Sequence, residues 1–300
     1  MSAPVILLGA NQYGKAEVRL VRVTRDTDRH EIEDLSVTSQ LRGDFEAAHT
    51  VGDNGHVVTT DTQKNTVYAF AKEHGVGSPE RFLLTLGRHF VDGFDWVTGG
   101  RWQAEQYTWS RIGDHDHAFV RSGQETRTCV VQIEEGATYV VSGLTDCVVA
   151  KTTGSEFTGF PRDRYTTLAE TTDRILATSV TAWWRYAPSG PLDDLDFNAL
   201  YDGIRATLLA TFAELHSLAL QQTLFAMGTA VIEAFPEVAE CRFSMPNKHH
   251  FLVDLEPFGL KNPGEVFFAA DRPYGLIEAA VLRDGAPDAG TAWSTVPGFC

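Results

Sequence analysis

The sequence predicts an α+β fold in which two strands, two helices and two strands follow one another twice along 300 residues. Segments rich in Val, Thr, Tyr and Trp come in runs, and a pair of helical stripes separates one run from the next. Runs of strands interrupted by paired helices favour antiparallel sheets with helices on one face over a parallel sheet of alternating elements. We expect two tandem domains, residues 1–143 and 144–300.

Extended segments are predicted at both ends of each half. They are recognised as alternating or β-branched runs bounded by turn signals. A Gly-Asp-Asn-Gly turn over residues 52–55 closes the first pair, which should form a long antiparallel hairpin. The predicted strands cover residues 5–25, 30–50, 96–112, 118–150, 140–157, 174–186, 240–255 and 265–283.

Two helices are predicted in the middle of each half. In the first half one helix begins at residues 60–62, and the next has Ser78 as its N-cap and Pro79 as its first residue. In the second half His216 and Ser217 separate two helices. The apolar stripes consist of Phe82, Leu83, Leu86 and Phe90 in the first half, and of Leu200, Ile204, Leu208, Phe212, Leu215, Leu224, Met227 and Val231 in the second.

Composition and charge limit the class of protein. Hydrophobic residues make up 43% of the chain and charged residues 22%, as in soluble globular proteins. The net charge of −15 argues against nucleic-acid binding, and no segment approaches the ~20 apolar residues of a membrane helix. The four cysteines form no C-x-x-C pair, which favours a reducing compartment and argues against a thiolate metal site.

Residues 244–255 combine an amide and an imidazole with apolar side chains. Read as one strand, this stretch places Asn247 and His249 on the same face as Met245, Phe251, Val253 and Leu255. We expect that face to point into a core, with the two polar side chains at its mouth. A core histidine satisfied by the asparagine and the wall of a binding site both fit this pattern.

The predicted helix starts offer places for an anion. With Ser217 as N-cap, Leu220 is the third helical residue, and its N–H group has no partner within the helix. Gln221 follows and can both donate and accept a hydrogen bond. The N–H of Asp61 is expected to be similarly free at the first helix start. Ordinary capping accounts for each feature when it is taken singly.

Three further side chains are candidates for a site. Arg174 opens a strand with a mostly apolar face, so its charge needs Asp173, Glu170 or a bound anion as partner. Phe157 suits either a core or a stacking plate. Lys15 lies at the start of the first strand, on its polar side, where a surface lysine and a site lysine look the same.

Known catalytic motifs are mostly missing from the sequence. The string Asp114-His115-Asp116-His117 is the most metal-like, but its polar, Gly-flanked context favours a solvated loop. The chain has no G-x-S-x-G elbow, no Walker loop and no G-x-G-x-x-G after a strand. These absences argue against the nucleotide-cofactor and serine-hydrolase patterns.

Seven strings along the chain together resemble the urate oxidase (uricase) family, most of all its bacterial members. They follow the order of the family's motifs and extend over nearly the whole chain. They are Tyr13-Gly14-Lys15, Thr60-Asp61-Thr62-Gln63-Lys64-Asn65-Thr66, Gly154-Ser155-Glu156-Phe157, Tyr165-Thr166-Thr167-Leu168, Asp173-Arg174-Ile175-Leu176, Ser217-Leu218-Ala219-Leu220-Gln221 and Pro246-Asn247-Lys248-His249-His250-Phe251.

The resemblance implies a fold, an assembly and a reaction. The fold is two tandem tunnelling-fold domains of the ββααββ kind, which assemble as a homotetramer around a tunnel with active sites at subunit interfaces. The reaction is oxidation of urate by O₂ to 5-hydroxyisourate with release of hydrogen peroxide, in purine catabolism, without metal or flavin.

The resemblance also implies roles for individual residues. Lys15, Thr60 and His249 resemble the family's proton-relay triad. Arg174 and Gln221 resemble the pair that grips the edge of the purine. In the family, the lysine and threonine act from a different subunit than the arginine and glutamine.

Four more positions complete the implied site. Phe157 resembles the stacking ring, and the backbone groups of Asp61 and Leu220 should complete the hold on urate together with Thr60. Asn247 should lie over the ring, beside the oxygen site.

Two alternatives of different class remain beside this reading. One is a related tunnelling-fold enzyme acting on a pterin or on GTP, some of which use zinc, although the cysteine–histidine ligand set is missing. The other is a purine-binding or scaffolding protein without catalysis. The chain ends in no peroxisomal tripeptide, so that a cytoplasmic location is expected.

Overall fold

The computed structural model describes residues 4–296, and the chain divides into two compact units between Ser142 and Gly143. Ala289–Thr295 returns to the first unit. Each unit contains two strands, two helices and two strands in chain order, which confirms the α+β prediction. The domain ranges 1–143 and 144–300 remain our proposal.

The large sheet of the first unit is antiparallel with strand order β1-β2-β3-β6. A small hairpin, β4–β5, and a short helix, α1, are added to the basic plan. The elements are β1 (Tyr13–Thr24), β2 (Glu31–Gly43), α1 (Glu46–Thr50), α2 (Thr60–Glu73), α3 (Pro79–Gly93), β3 (Val97–Gln106), β4 (Trp109–Arg111), β5 (Phe119–Arg121) and β6 (Thr126–Glu134).

Helices α2 and α3 cover the same face of this sheet. Ser39 lies opposite Trp102 in the β2–β3 register, so that both side chains point to one face. The Ser39 hydroxyl donates to Gln63 Oε1 of α2 at 2.9 Å. Gly87 of α3 is so close to the Trp102 ring that a Cβ there would lie 3.0 Å from it. The predicted layering of helices on one face is therefore present.

The predicted helix starts of the first unit are confirmed. Thr59 caps α2 by accepting the N–H of Thr62 at 3.0 Å, and Ser78 caps α3 by accepting the N–H of Arg81 at 3.2 Å. The prediction of an extended segment over residues 30–50 was wrong at its end, because residues 46–50 form α1. Glu and Ala at its start favour helix, and this local preference prevails once β2 has ended.

The second unit repeats the plan with a sheet of order β7-β8-β9-β12. Strand β7 crosses the division between the units, and β10 and β11 form a separate two-stranded sheet. The elements are β7 (Ala137–Lys151), β8 (Leu176–Tyr186), α4 (Phe197–Glu214), α5 (Leu220–Ala234), β9 (Val238–Asn247), β10 (His250–Leu252), β11 (Phe267–Ala269) and β12 (Gly275–Leu282).

Helices α4 and α5 again share one sheet face. Trp184 lies opposite Cys241, and its ring centroid is 5.9 Å from that of Tyr201 of α4, with the two rings tilted. Phe243, two residues further along the same face, lies directly against Gly228 of α5. Within residues 4–296 no helix is both long and apolar enough to cross a bilayer.

Candidate active site

Three irregular segments of the second unit are tied together by backbone hydrogen bonds. Ser155 bridges Ser217 in parallel, and Phe157 bridges Thr171 in antiparallel fashion. The N–H of Phe157 donates to Thr171 O at 2.8 Å, and the N–H of Arg174 donates to Ser155 O at 2.8 Å. These bonds place Phe157 and Arg174 beside the entry to α5, although they are far apart in sequence.

Arg174 lies over an aromatic ring and has no carboxylate partner within residues 4–296. Its guanidinium carbon is 5.1 Å from the centroid of Phe157, and its Nε donates to Ser155 Oγ at 3.4 Å. Arg174 is half-buried, and this burial lowers its pKa. In the part of the chain that the structure describes, no carboxylate forms an ion pair with it.

The two carboxylates proposed as partners of this arginine are engaged elsewhere. Asp173 Oδ1 accepts the hydroxyl of Thr153 at 3.0 Å and the N–H of Gly154 at 3.1 Å. Glu170 accepts the N–H of Gly159 at 3.0 Å. Of the three partners considered for Arg174, a bound anion is therefore the one that the contacts leave open.

A cavity of about 670 Å³ collects four predicted site residues: Phe157, Arg174, Asn247 and His249. Its remaining lining includes Ile175, Leu168 and Phe267. Because Asp173 and His250 also line it, the cavity combines one cation, one carboxylate, one amide and two imidazoles with apolar walls, a composition typical of small-molecule sites.

Asn247 and His249 reach the cavity because β9 stops between them. Asn247 is the last paired residue of β9, opposite Thr178 on one side and Gly275 on the other. The chain then turns away, and His249 O accepts the N–H of Ala270 at 2.9 Å. His249 is half-buried at the cavity wall, so the core-histidine reading does not hold.

The prediction of one continuous strand over residues 240–255 was therefore wrong. Met245 is fully buried as expected, but Phe251 is 53% exposed, on the separate strand β10. The alternating pattern continues through the sequence, but the backbone leaves the sheet after Lys248, whose N–H still donates to Ala177 O of β8 at 2.8 Å.

Helix α5 begins two residues later than the Ser217 cap predicted. Its N-cap is Ala219, and Leu220 and Gln221 are its first two residues. Ser217 is fully buried and accepts the hydroxyl of Thr223 at 2.8 Å instead of capping the helix. The N–H groups of Leu220 and Gln221 still lie in the first turn, where an α-helix provides no internal partner. Neither residue is among the described ones that line the cavity.

The first unit holds a second group of predicted residues at the start of α2. Thr60 and Asp61 are the first two residues of α2, and both are exposed. The Thr59 side chain accepts its capping hydrogen bond from the N–H of Thr62. Lys64 lowers the pKa of the Asp61 carboxyl most, and the charge of Lys15 lowers it further. Lys15 is therefore near enough to the helix start for its charge to act there.

Lys15 lies on the helix-covered face of the sheet, and its predicted place on the polar side was wrong. It pairs with Ser39, while Val18 pairs with Val37, so that two residues face Thr38 between them. This β-bulge restores Lys15 to the face of the core residue Val18, although simple alternation assigns it to the opposite one.

Sequence reasoning missed the buried hydroxyls that hold Phe157 and Arg174 in place beside α5. Ser155, Ser217 and Thr223 are each 0% exposed and link the Phe157 segment, the Arg174 segment and α5. No periodicity marks them, because they lie in irregular backbone. The available signal for such a hydroxyl was that Ser155 lies within the string Gly154-Ser155-Glu156-Phe157.

The Asp114–His117 string forms an exposed turn, as predicted. Asp114 pairs with Arg29 at 2.9 Å, and the rings of His115 and His117 meet edge-on at 4.6 Å. Within residues 4–296, no group of three or more His, Cys, Asp or Glu side chains is arranged to hold a metal ion.

The fold and the site define a class of protein. Tandem ββααββ units with helices on one face are the tunnelling fold, and the second unit carries at a cavity an aromatic plate and an arginine that no carboxylate of the described residues pairs with. That combination suits a flat, anionic ring.

Comparison with known proteins narrows the class to one family. A family model described as Uricase matches residues 11–132 and 140–278. A uricase from Arthrobacter globiformis is 63% identical over 295 residues, covering 98% of this chain and 96% of that protein. A uricase from Schizosaccharomyces pombe is 37% identical over 284 residues, covering 90% and 96%. The chain belongs to the uricase family.

Solved structures agree with this assignment. The crystal structure of uricase from Arthrobacter globiformis matches with a TM-score of 0.93, covering 97% of this chain and 100% of that chain. The crystal structure of a uricase from Bacillus fastidious, 26% identical, matches with a TM-score of 0.78, covering 91% and 94%.

Proposed function

We propose that the chain oxidises urate with molecular oxygen to 5-hydroxyisourate and releases hydrogen peroxide. Urate, O₂ and water give the two products in equal amounts, so that two electrons pass from the purine to oxygen. Membership of the uricase family supports this activity. Within the site, the proposal is carried by the half-buried Arg174, which has no carboxylate partner among residues 4–296 and lies against Phe157.

Each group in the second unit has a task in binding urate. The planar fork of Arg174 can donate two parallel hydrogen bonds to acceptors on the purine edge, which a point charge cannot do. The Phe157 ring stacks on the purine face, and Gln221 supplies one donor and one acceptor. The Leu220 N–H at the α5 start adds a donor aimed at negative charge.

The remaining groups move protons. Lys15, acting through the Thr60 hydroxyl, removes a proton from bound urate, and His249 transfers protons near neutral pH. The Asp61 N–H holds the ring on that side, and Asn247 lies beside the oxygen. Deprotonated urate is electron-rich enough to reduce O₂, so that the protein needs to position it and control its protons, without metal or flavin.

The two groups of residues come together between chains in this proposal. Lys15, Thr60 and Asp61 lie in the first unit, whereas Arg174 and Gln221 lie in the second. In a homotetramer, the first unit of one copy completes the pocket on the second unit of another.

Oxygen uptake tests the reaction directly. Metal-stripped protein mixed with urate should consume one O₂ and form one H₂O₂ for each urate lost. Heat-denatured protein at the same concentration is the control. Urate that binds without oxygen uptake would identify a binding protein and overturn the proposal.

Substitution of the relay tests its two first-unit members. Lys15→Met and Thr60→Ala should each lower kcat by ~10²-fold or more, the usual scale for a lost proton-transfer group. Lys72→Met, at the far end of α2, is the matched control and should leave kcat unchanged. Near-normal turnover in Lys15→Met would remove that lysine from the mechanism.

Mixing two inactive variants tests the site between chains. Lys15→Met and Arg174→Gln chains, co-expressed, should recover about a quarter of wild-type activity, since random assembly combines an intact first unit with an intact second unit in one site of four. Each variant expressed alone should stay inactive. No recovery in an assembled mixture would place both groups of one site in one chain.

A cytoplasmic location is also part of the proposal. Cys129, Cys147 and Cys241 are buried cysteines that form no disulfide within residues 4–296, a state that a reducing compartment maintains. Fractionation of the source cells with a cytoplasmic marker enzyme checks it.

A further inference from the structure

The first strand contains an irregularity directly beside Lys15. Lys15 pairs with Ser39 and Val18 with Val37, which leaves Ala16 and Glu17 to face Thr38 alone. Glu17 has a φ of 55°, in the left-handed region that a glutamate seldom adopts. Such a conformation costs of the order of 1 kcal/mol, so other contacts must hold it.

Three contacts hold the bulged register. The N–H of Glu17, freed from the ladder, donates to Thr38 Oγ1 at 3.0 Å. Gly14 passes so close to β2 that a Cβ there would lie 1.8 Å from Ser39 O, which only glycine allows. The hydroxyl of Tyr13 donates to Val58 O at 3.1 Å, just before the start of α2. The strand on the N-terminal side of the bulge is thereby tied to the segment that leads into Thr60.

The register decides which face Lys15 occupies. In the bulged register it shares the face of Ser39, which is hydrogen-bonded to α2. If β1 continued without the bulge, Ala16 would face Ser39 and Lys15 would face Gln40, on the opposite side of the sheet. A shift of one residue would thus move the lysine away from the helix that carries Thr60.

The second unit also contains a strand residue other than glycine with a positive φ, but no lysine stands two positions before it. Asp146 has a φ of 57°, and the flanking Leu144 and Cys147 are both buried, at the spacing of Lys15 and Val18 around Glu17. The position that corresponds to Lys15 is thus filled by Leu144, which is 1% exposed. Asp146 therefore serves as an internal control for Glu17. Its backbone has a similar positive φ, but the residue two positions before it is a leucine and not an ionisable lysine.

We propose that Glu17 is a positioning residue for the reaction: its left-handed conformation creates the bulge that directs Lys15 toward Thr60. The inference rests on the proposed function, in which Lys15 is the relay base. Glu17 itself is exposed and acts through the backbone, so its carboxylate is dispensable while its conformation is not.

Two substitutions at one position separate conformation from charge. Glu17→Val places a β-branched residue where φ is positive and favours the unbulged register. We expect kcat to fall about tenfold or more, with KM within about twofold of wild type, because Arg174 and Phe157 lie in the other unit. Glu17→Gly, which adopts positive φ freely, should restore kcat although the carboxylate is lost.

A double variant shows whether Glu17 acts through Lys15. In the Lys15→Met background, Glu17→Val should cause no further loss of kcat, since there is no lysine left to position. Asp146→Val is the matched control: it imposes the same strain in the second unit, and its effect should be equal with and without Lys15. If Glu17→Val does not fold, Thr38→Val, which removes the acceptor of the Glu17 N–H, takes its place.

The outcomes are distinguishable. A tenfold loss in Glu17→Val that is rescued by glycine and absent in the Lys15→Met background supports the inference. Unchanged kcat in Glu17→Val, an equal loss in Glu17→Gly, or a full further loss in the Lys15→Met background overturns it while the relay stands. Unchanged kcat in Lys15→Met alone removes the relay, and with it the positioning role.

Discussion

At the scale of single residues, the site depends on which charges are left without partners. Asp173 is next to Arg174 in sequence and Glu170 lies four residues earlier, yet each is occupied by backbone or hydroxyl donors. Arg174 is instead held by Ser155 and by the Phe157 ring, with its fork open to the cavity. A half-buried cation of this kind favours an anionic ligand, since the ligand replaces the missing counter-charge.

Arg174→Lys should therefore weaken urate binding more than it slows chemistry. The ammonium group keeps the charge but cannot form two parallel hydrogen bonds, so we expect KM to rise about 10- to 100-fold, the equivalent of ~1.5–3 kcal/mol. Steady-state kinetics measure it. Arg164→Lys, in an exposed contact with Tyr165, is the control and should leave KM unchanged. An unaltered KM in Arg174→Lys would count against the gripping role.

Gly14 is the second residue whose identity is imposed by its surroundings. A Cβ there would meet Ser39 O at 1.8 Å, whereas a Cβ at Gly9 would meet nothing within 4 Å. Gly14→Ala should lower the free energy of unfolding by about 1–3 kcal/mol or more, while Gly9→Ala should change it little. Chemical denaturation of both variants is the measurement, and equal stability of the two would show that the strand adjusts freely.

At the scale of elements, the first turns of the helices contribute more to the proposed site than the rest of each helix does. The side chain of Thr59 caps α2 directly before Thr60 and Asp61, and Ser78 caps α3 in the same way but away from any proposed site residue. Both caps are hydroxyl side chains, but only the Thr59 cap stabilises a helix start that carries proposed site residues. This allows stability and function to be separated.

Thr59→Ala and Ser78→Ala should each cost ~1 kcal/mol of stability, the usual loss for a capping side chain. Thr59→Ala should in addition impair urate oxidation, because the first turn of α2 holds Thr60 and the Asp61 N–H. Melting temperature and kcat/KM measured together give the answer. If both variants lose the same small fraction of activity, the α2 start has no special role.

At the scale of the whole molecule, each unit buries a free thiol in its own core. Cys129 lies in the first unit and Cys241 in the second. Burial raises the pKa of both thiols, with Glu80 and Glu240 as further causes. The folded state therefore keeps them neutral where an unfolded chain would ionise them.

The sign of the pH effect follows from these raised pKa values. The stability that neutral thiols contribute is fully present below the unfolded thiol pKa of ~8.5, and it is lost as pH rises above that value. Melting temperature should fall between about pH 8.5 and 10. Cys129→Ala and Cys241→Ala should each flatten this decline, whatever they cost at pH 7. A decline as steep in both variants as in the wild type would assign it to other groups.

Much of the fold could be predicted because its signals are local. The Ser78-Pro79 start of α3, the Thr-Asp-Thr start of α2 and the buried stripe of α3 depend only on nearby residues. The start of α5 was predicted two residues too early because Ser217 is a good cap by type. In the structure, its hydroxyl is taken by Thr223 inside a buried cluster.

The sequence by itself determined the α+β order of elements, the candidate residues and, through its motifs, the family. Tertiary structure alone decided that Lys15 faces α2, that β9 ends at Asn247 and that Arg174 lacks a carboxylate partner within residues 4–296. The physical reason is the same in each case. A period-two pattern records alternation, whereas strand register, bulges and hydrogen-bond partners are fixed by segments far away along the chain.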